Sequence, residues 1–505
     1  MVMMHLMNTE FVLGLDLGTS SCKVSAVTLS GKILGSLHKE YVTQTPHSGW
    51  AEQQPEDWIK ALSQASHALL ERYNLDPGKA RGLAITSAAH IAVLLDEAGE
   101  VIRPAILWND QRSCEQAEQL SKFVGEKVFE QAGNWPSTTW SLPHLLWIQE
   151  KDPDSWRKAH HILLSKDYIG YRLTGKKATD PAAAVSAMLY DVKSECWSPE
   201  LCNYAGINMT WLPDVSPIGG ELGKLSPAGA ELLGLHTQVR VYNGTMDSTA
   251  ETFAAGVRDE GDCVIRLASA GGLHGIARTP GFDRKLISYP YVVPGYWLSQ
   301  AGTSTCAAAV SWAAKLFMDS TQTRPDFGAW SDLASESPAG SNGLMFHPYL
   351  MGERCPHWDP SLRGSFNGMG LHHTRGDVAR AIYEGTAFSL LDASSALIAR
   401  GFKVKNIKIV GGGGKSELWC QTLSNVFNAR VKYIPGADSS YGAAIISLYG
   451  LGIYHSINEV PSDLLISGTE KSYEPDHVAH EMYSELFIKY KYVSSKLSEI
   501  AHFTK

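Results

Sequence analysis

From Phe11 to Tyr41 apolar residues alternate with small or polar ones, in "EFVLGLDLGTSSCKVSAVTLSGKILGSLHKEY", and turn residues interrupt the alternation at Gly-Thr-Ser and again at Ser-Gly-Lys. A period of two broken this way predicts three strands joined by tight turns. The period then changes. "QPEDWIKALSQASHALLERY" spaces its apolar residues for one helical face, with Pro55 near its start, and "GLAITSAAHIAVLLDEAGEVI" returns to strand, loop, strand and turn. A second course begins mid-chain, where "VRVYNGTMDSTAETFAAG" reads as strand, polar loop and helix, and "GDCVIRLASAGGLHGIART" as strand, glycine-containing loop and strand. Farther on, "NIKIVGGGGKSELWCQTLSNVFNARV" predicts a strand, a four-glycine turn and a helix capped by Ser416. Leu418, Thr422, Leu423, Val426 and Phe427 share one face of that helix. Mixed sheets covered by helices give an α/β class, and the repeated pattern predicts a duplicated domain divided into 1–256 and 257–505.

Composition adjusts this picture little. A chain of 505 residues is too long for one comfortable core. With 44% hydrophobic and 19% charged residues it has a soluble globular composition, and a net charge of -8 without any long basic run argues against a general nucleic-acid binder. Eight scattered cysteines with no C-x-x-C pair argue against a zinc cluster and fit reduced thiols in a cytoplasmic protein. "MVMMHLMNTEF" lacks the features of a secretory leader. The apolar stretch nearest to a membrane span, "GAAIISLYGLGIY", is broken by glycines and suits a buried helix with its exit turn, so no membrane partner is expected. A homodimer is one assembly open to a chain of this size.

Candidate chemistry begins at "GLDLGTSSCKV". Asp16 follows an apolar strand, and Gly18, Thr19, Ser20 and Ser21 can offer amide and hydroxyl donors to phosphoryl oxygens while the carboxylate suits magnesium. An Asp-initiated hairpin turn explains the same residues. "GGGGKSELW" has neither the Walker A nor the dinucleotide spacing, so it is either a structural turn or a place where a nucleotide approaches the backbone. Asp247, in "NGTMDSTAETFAAG", is a general-base candidate that Asn243, Thr245 and Ser248 can orient, or else the cap of the helix that follows. His90, with Trp108, Asn109, Asp110 and Arg112 of "ILWNDQRS" and Trp50 of "SGWAEQQPEDW", makes a polar and aromatic set suited to a hydroxylated ligand, although His90 taken alone reads more readily as a satisfied structural residue.

At "GSFNGMGLHHTRGDVARAIYEGTAFSLLDA" the residues Gly364, Phe366, Gly368, Met369, Asp377, Val378, Ala381, Ile382, Tyr383 and Glu384 satisfy a signature of the FGGY carbohydrate kinases, and the sequence resembles that family. "GLDLGTSSCKV", "ILWNDQRS", "MDSTAETFAAG" and "IVGGGGKSELW" followed by "SSYGAAIISLYGLGIY" extend the resemblance over essentially the whole chain. It implies two ribonuclease H-like domains of the actin and heat-shock ATPase type, with ATP and a sugar meeting in a cleft between them. It also implies Asp247 as the base, Asp16 assisting Mg2+, and Gly18, Thr19 and Ser20 facing the terminal phosphates. Ser269 and Gly271 would lie in a second phosphate loop, Gly412, Gly413 and Asn425 by the adenosine, and His90, Trp108, Asn109 and Asp110 by the sugar. Asp247 and the Gly-Thr-Ser bend are expected on opposite lips of the cleft.

"GWAEQQPEDW" and "LWNDQR" look most like the xylulose kinases. Two departures stand out: Ala88-Ala89-His90 replaces the usual Gln-Met-His, and Ser269-Ala270-Gly271-Gly272 replaces Gly-Thr-Ser-Gly. The expected function is ATP-dependent phosphorylation of a ketose or polyol. The alternative from another class is a nucleotide- and sugar-binding regulatory protein that keeps this fold without turnover.

Overall fold

The computed structural model describes residues 9–318, 325–464 and 470–503; the opening "MVMMHLMN" lies outside them. Contacts among the described residues divide the chain into two units. The first takes in Met1–Gly256, Tyr289–Tyr296 and Ala437–Leu465, and the second takes in Val257–Ser288, Trp297–Gly436 and Ile466–Lys505. The first unit thus reaches past residue 256, because two later segments return to it.

Its sheet opens with β1 (Phe11–Leu17), β2 (Ser21–Thr28) and β3 (Ile33–Glu40), paired antiparallel in sequence order. The helix α1 (Pro55–Arg72) then leads to β4 (Ala80–Ser87), which joins β1 in parallel, and β5 (Arg240–Tyr242) joins β4 in parallel. β1 is buried at nearly every position, as expected of a strand covered on both faces. Beyond β5 the chain enters α2 (Asp247–Ala254).

The helix Ser439–Gly450 packs on β1, β4 and α2. Two glycines permit that approach. A Cβ on Gly14 of β1 would lie 1.7 Å from the Ser440 carbonyl oxygen, and one on Gly442 would lie 2.2 Å from that of Ala250. Small residues after Asp247 therefore let a helix seat directly on the strand that carries Asp16. Gly14→Ala should destabilise the fold by about 3 kcal/mol, since backbone rather than a movable side chain occupies the space. Chemical denaturation checks this, and a midpoint equal to the parent's would contradict the packing described.

The second unit repeats the plan. β6 (Asp262–Leu267) runs antiparallel to β7 (Gly271–Ala277), which pairs antiparallel with β8 (Trp297–Thr303), while β9 (Asn406–Val410) and β10 (Arg430–Tyr433) extend the sheet in parallel from β6. Its helices include α3 (Ala307–Phe317), α4 (Phe327–Ser335) and α5 (Glu417–Phe427), the last capped by Ser416, whose hydroxyl accepts from the Trp419 amide. In each unit a three-stranded meander is extended by parallel strands, which is the ribonuclease H-like arrangement expected from the sequence. No helix among the described residues is long and apolar enough to cross a membrane, and all eight cysteines are free.

Candidate active site

Parallel strands bring their carboxyl ends to one edge of the sheet, where open α/β folds gather functional groups. In the first unit Asp16 of β1 stands beside Thr86 of β4, and the next strand position pairs Ser87 with Met246, the residue before Asp247. Asp16 and Asp247 therefore rise from the same edge, separated by roughly two strand spacings, about 10 Å. The Gly-Thr-Ser bend follows β1 at that edge, and Ala88 to His90 follow β4. This corrects the expectation of opposite lips: one sheet carries both groups because β4 runs parallel between them.

Asp247 is the first residue of α2, not its cap. Met246 holds the cap position with no side-chain bond, and the Asp247 carboxylate accepts from the Ser248 amide at 2.8 Å. A carboxylate in the first turn is favoured in its charged form by the helix dipole. The side chain is half-buried. Asn243 and Thr245 do not orient it as the sequence reading expected. The Asn243 side chain accepts from Lys166 Nζ at 2.9 Å and donates to the Thr179 carbonyl at 2.9 Å, while the Thr245 hydroxyl donates to Asp180 at 3.0 Å. Both fix the backbone leading into α2. At the centre of this network, Lys166 is buried with Asp167 at 2.6 Å and Asp180 at 3.0 Å. Burial opposes its charge, yet the two carboxylates raise its pKa above the ordinary value.

The bend is braced from three sides. Gln53 Nε2 donates to the Thr19 carbonyl at 2.7 Å, the Tyr41 hydroxyl donates to the Gly18 carbonyl, and Trp108 Nε1 donates to Thr19 Oγ1 at 3.0 Å. Gly18 and Thr19 are half-buried and Ser20 is exposed. Gln53 belongs to the segment marked as sugar-side in the sequence; its fixed position, completed by Trp58 Nε1 donating to its Oε1 at 2.8 Å, serves the bend instead.

Other sugar-side expectations change. Asp110 is fully buried, and its two oxygens accept from the Arg112 guanidinium and backbone amide and from the Ala51 amide, which leaves nothing to offer a ligand. Trp50 is engaged by the same arginine, whose guanidinium carbon lies 3.8 Å from its ring centroid. Asn109 is exposed.

His90, at φ +67°, is buried with both nitrogens engaged. Nδ1 lies 3.4 Å from the Ser186 carbonyl, an acceptor only, so this nitrogen carries the proton and Nε2 accepts from the Tyr289 hydroxyl at 2.7 Å. Trp140 meets the imidazole edge-on at 4.4 Å. Tyr289, whose pKa is raised by burial and then by Asp247, is a neighbour of the candidate base that the sequence reading missed. Its segment, "SYPYVVPGYW", carries no local signal.

Burial lowers the pKa of His90 to about 3, as it does for His274 (about 3), His144 (about 4) and His347 (about 4). A folded-state value below the unfolded one, about 6.5, means the unfolded chain takes up these protons first. Stability should therefore fall as pH drops from about 6.5 towards 4, by up to about 1.4 kcal/mol per histidine per pH unit. Urea midpoints measured between pH 7 and 5 check this, and a midpoint that rises on acidification would contradict it.

The second unit holds a cavity of about 780 Å³ lined by Ala268, Tyr383, Gly412, Gly413, Ser416 and Leu418 among others. A Cβ on Gly412 would meet nothing within 4 Å, so the backbone there faces open space. Ser269 is exposed beside the cavity wall, but its carbonyl accepts from the Cys306 and Ala308 amides, and Ala268 accepts from Ala307. The loop thus occupies the first amides of α3. Gly271 lies at the start of β7, where a Cβ would lie 2.8 Å from Cys306 Cβ. Asn425 is placed elsewhere: its side chain accepts from Gln421 at 2.9 Å and from the Asp476 amide at 2.9 Å, tying α5 to the C-terminal helix.

Comparison with known proteins matches residues 11–254 to the N-terminal domain and residues 271–451 to the C-terminal domain of the FGGY family of carbohydrate kinases. The chain belongs to that family of phosphotransferases. It is 31% identical over 477 residues to a xylulose kinase of Escherichia coli K12, covering 93% of this chain and 96% of that one. It is 29% identical over 494 residues to a xylulose kinase of Staphylococcus epidermidis, covering 97% and 98%. Among solved structures, a gluconate kinase from Lactobacillus acidophilus superposes with a TM-score of 0.89 at 25% identity, covering 97% of this chain and 98% of that one.

Proposed function

We propose that this kinase transfers the γ-phosphoryl group of ATP to a hydroxyl of a neutral ketose or polyol, with Asp247 as general base. The supporting observation is the charge of the acceptor edge: Asp247 contributes an anion, His90 is neutral, and Lys166 is engaged by two aspartates. A sugar acid would need a cation where these residues offer none. Asp247 accepts the hydroxyl proton as the sugar oxygen bonds to the γ-phosphorus and the bond from that phosphorus to the β,γ-bridging oxygen breaks, so that ADP leaves and the carboxylic acid formed at Asp247 then returns its proton to solvent. Trp108 covers the C–H face of the sugar, and His90 acts by holding Tyr289 rather than by touching substrate.

The adenosine occupies the second unit's cavity by Gly412 and Gly413, with Ser269 and Gly271 on its phosphate side. Gly18, Thr19 and Ser20 receive the terminal phosphates. Among the described residues no group of three or more His, Cys, Asp or Glu is arranged to hold a metal. A single carboxylate, Asp16, suits magnesium, which is commonly held by one or two carboxylates, water and substrate phosphates. When bound, the ion would neutralise charge on the transferring phosphate.

The test is sugar-dependent ADP release across pentuloses, hexuloses, polyols and gluconate. Turnover of a neutral sugar is expected. Turnover of gluconate alone would overturn the substrate assignment. Failure with every sugar, by folded protein that binds ATP in calorimetry, would favour a regulatory binding protein of this fold.

A further inference from the structure

The bond from Trp108 to Thr19 crosses from the sugar side of the first unit to its phosphate bend. An indole N–H can only donate, so Thr19 Oγ1 accepts from Trp108 at 3.0 Å and the hydroxyl hydrogen of Thr19 must point elsewhere. The indole is itself held in place. Its ring packs against the core while the residue remains half-exposed, the preceding Leu107 amide donates to the Ala51 carbonyl at 3.0 Å, and the Asp110 amide donates to the Leu107 carbonyl at 3.0 Å. The other two braces, from Gln53 and Tyr41, reach backbone carbonyls. Among these three braces, Trp108 alone sets a side-chain donor of the bend.

We propose that Trp108 is a positioning residue for phosphoryl transfer, which makes the Thr19 hydroxyl a donor aimed at a terminal phosphate oxygen and couples that donor to the sugar lying on the indole face. The inference rests on the kinase reading above. A sugar that fixes the ring fixes the hydroxyl as well, so acceptor binding prepares the phosphate bend without any new contact to ATP. No bond is made or broken at Trp108; its part is to select one orientation of one O–H group, which is then present before the transition state forms.

Full-length Trp108→Phe, Thr19→Val, Thr19→Ser and the Trp108→Phe/Thr19→Val double variant test this, with the sugar that the parent turns over. Trp108→Phe keeps an aromatic face and removes the N–H. Its kcat should fall about ten-fold, on the scale of one lost hydrogen bond, while its KM for sugar stays within about three-fold. Thr19→Val should lose as much, Thr19→Ser should recover most of it, and the double variant should be no slower than Thr19→Val. Losses that multiply in the double variant would overturn the coupling. So would a Trp108→Phe defect confined to the KM for sugar, because the N–H would then serve the sugar directly. A parent enzyme inactive on every sugar would instead sink the kinase reading, and the two failures are thereby separated.

Discussion

Asp247→Asn should lower sugar-dependent turnover by about 10²- to 10⁴-fold while ATP affinity and folding stay near those of the parent. The amide keeps the size and the acceptor oxygen that takes the Ser248 amide hydrogen bond at 2.8 Å, so the start of α2 has no reason to unravel. What it loses is the ability to accept the proton of the attacking hydroxyl, and general-base assistance is worth about that range. Adenosine is assigned to the cavity by Gly412 and Gly413 in the second unit, to which Asp247 does not belong, so calorimetric ATP binding is the control. A variant that phosphorylates the sugar as fast as the parent would remove Asp247 from the chemistry.

The largest stability effect is expected at Lys166→Met, about 3–5 kcal/mol, because removing one partner of a buried ionic group leaves the others uncompensated. Asp167 and Asp180 are both buried, and Asn243 accepts from the same ammonium. The damage should extend to activity, since Asn243 and Thr245 lie on the strand-to-helix connection that delivers Asp247. Denaturant unfolding reads the first effect and ADP release the second. Equal midpoints for Lys166→Met and the parent would show that the network contributes no net stability.

Much of this molecule could be read along the chain. The opening meander followed from alternation between Phe11 and Tyr41, and Pro55 marked the first turn of a helix that begins at that residue. Gly-Gly-Gly-Gly followed by Ser416 gave the turn and capped helix beside the cavity, and "GAAIISLYG" gave a buried helix. The ordered motifs gave the family. Less legible was what each polar side chain would meet. Asp110 looked like a sugar ligand because it sits beside Trp108 and Asn109, but Arg112, two residues on, takes its carboxylate inward. Asn425 looked available on its helix until the distant Asp476 amide engaged it.

Sequence alone determined the elements, the two courses of strands and the residue types from which a phosphotransferase is built, because backbone periodicity and turn preference act within a few residues. Only the folded chain decided that Trp108 meets Thr19 across 89 positions, that His90 meets Tyr289 across 199, and that Asp16 and Asp247 share one sheet edge. Hydrogen-bond donors find their acceptors through strand order and packing. That order arises when parallel strands from remote segments are laid side by side, and neighbouring residues do not specify it.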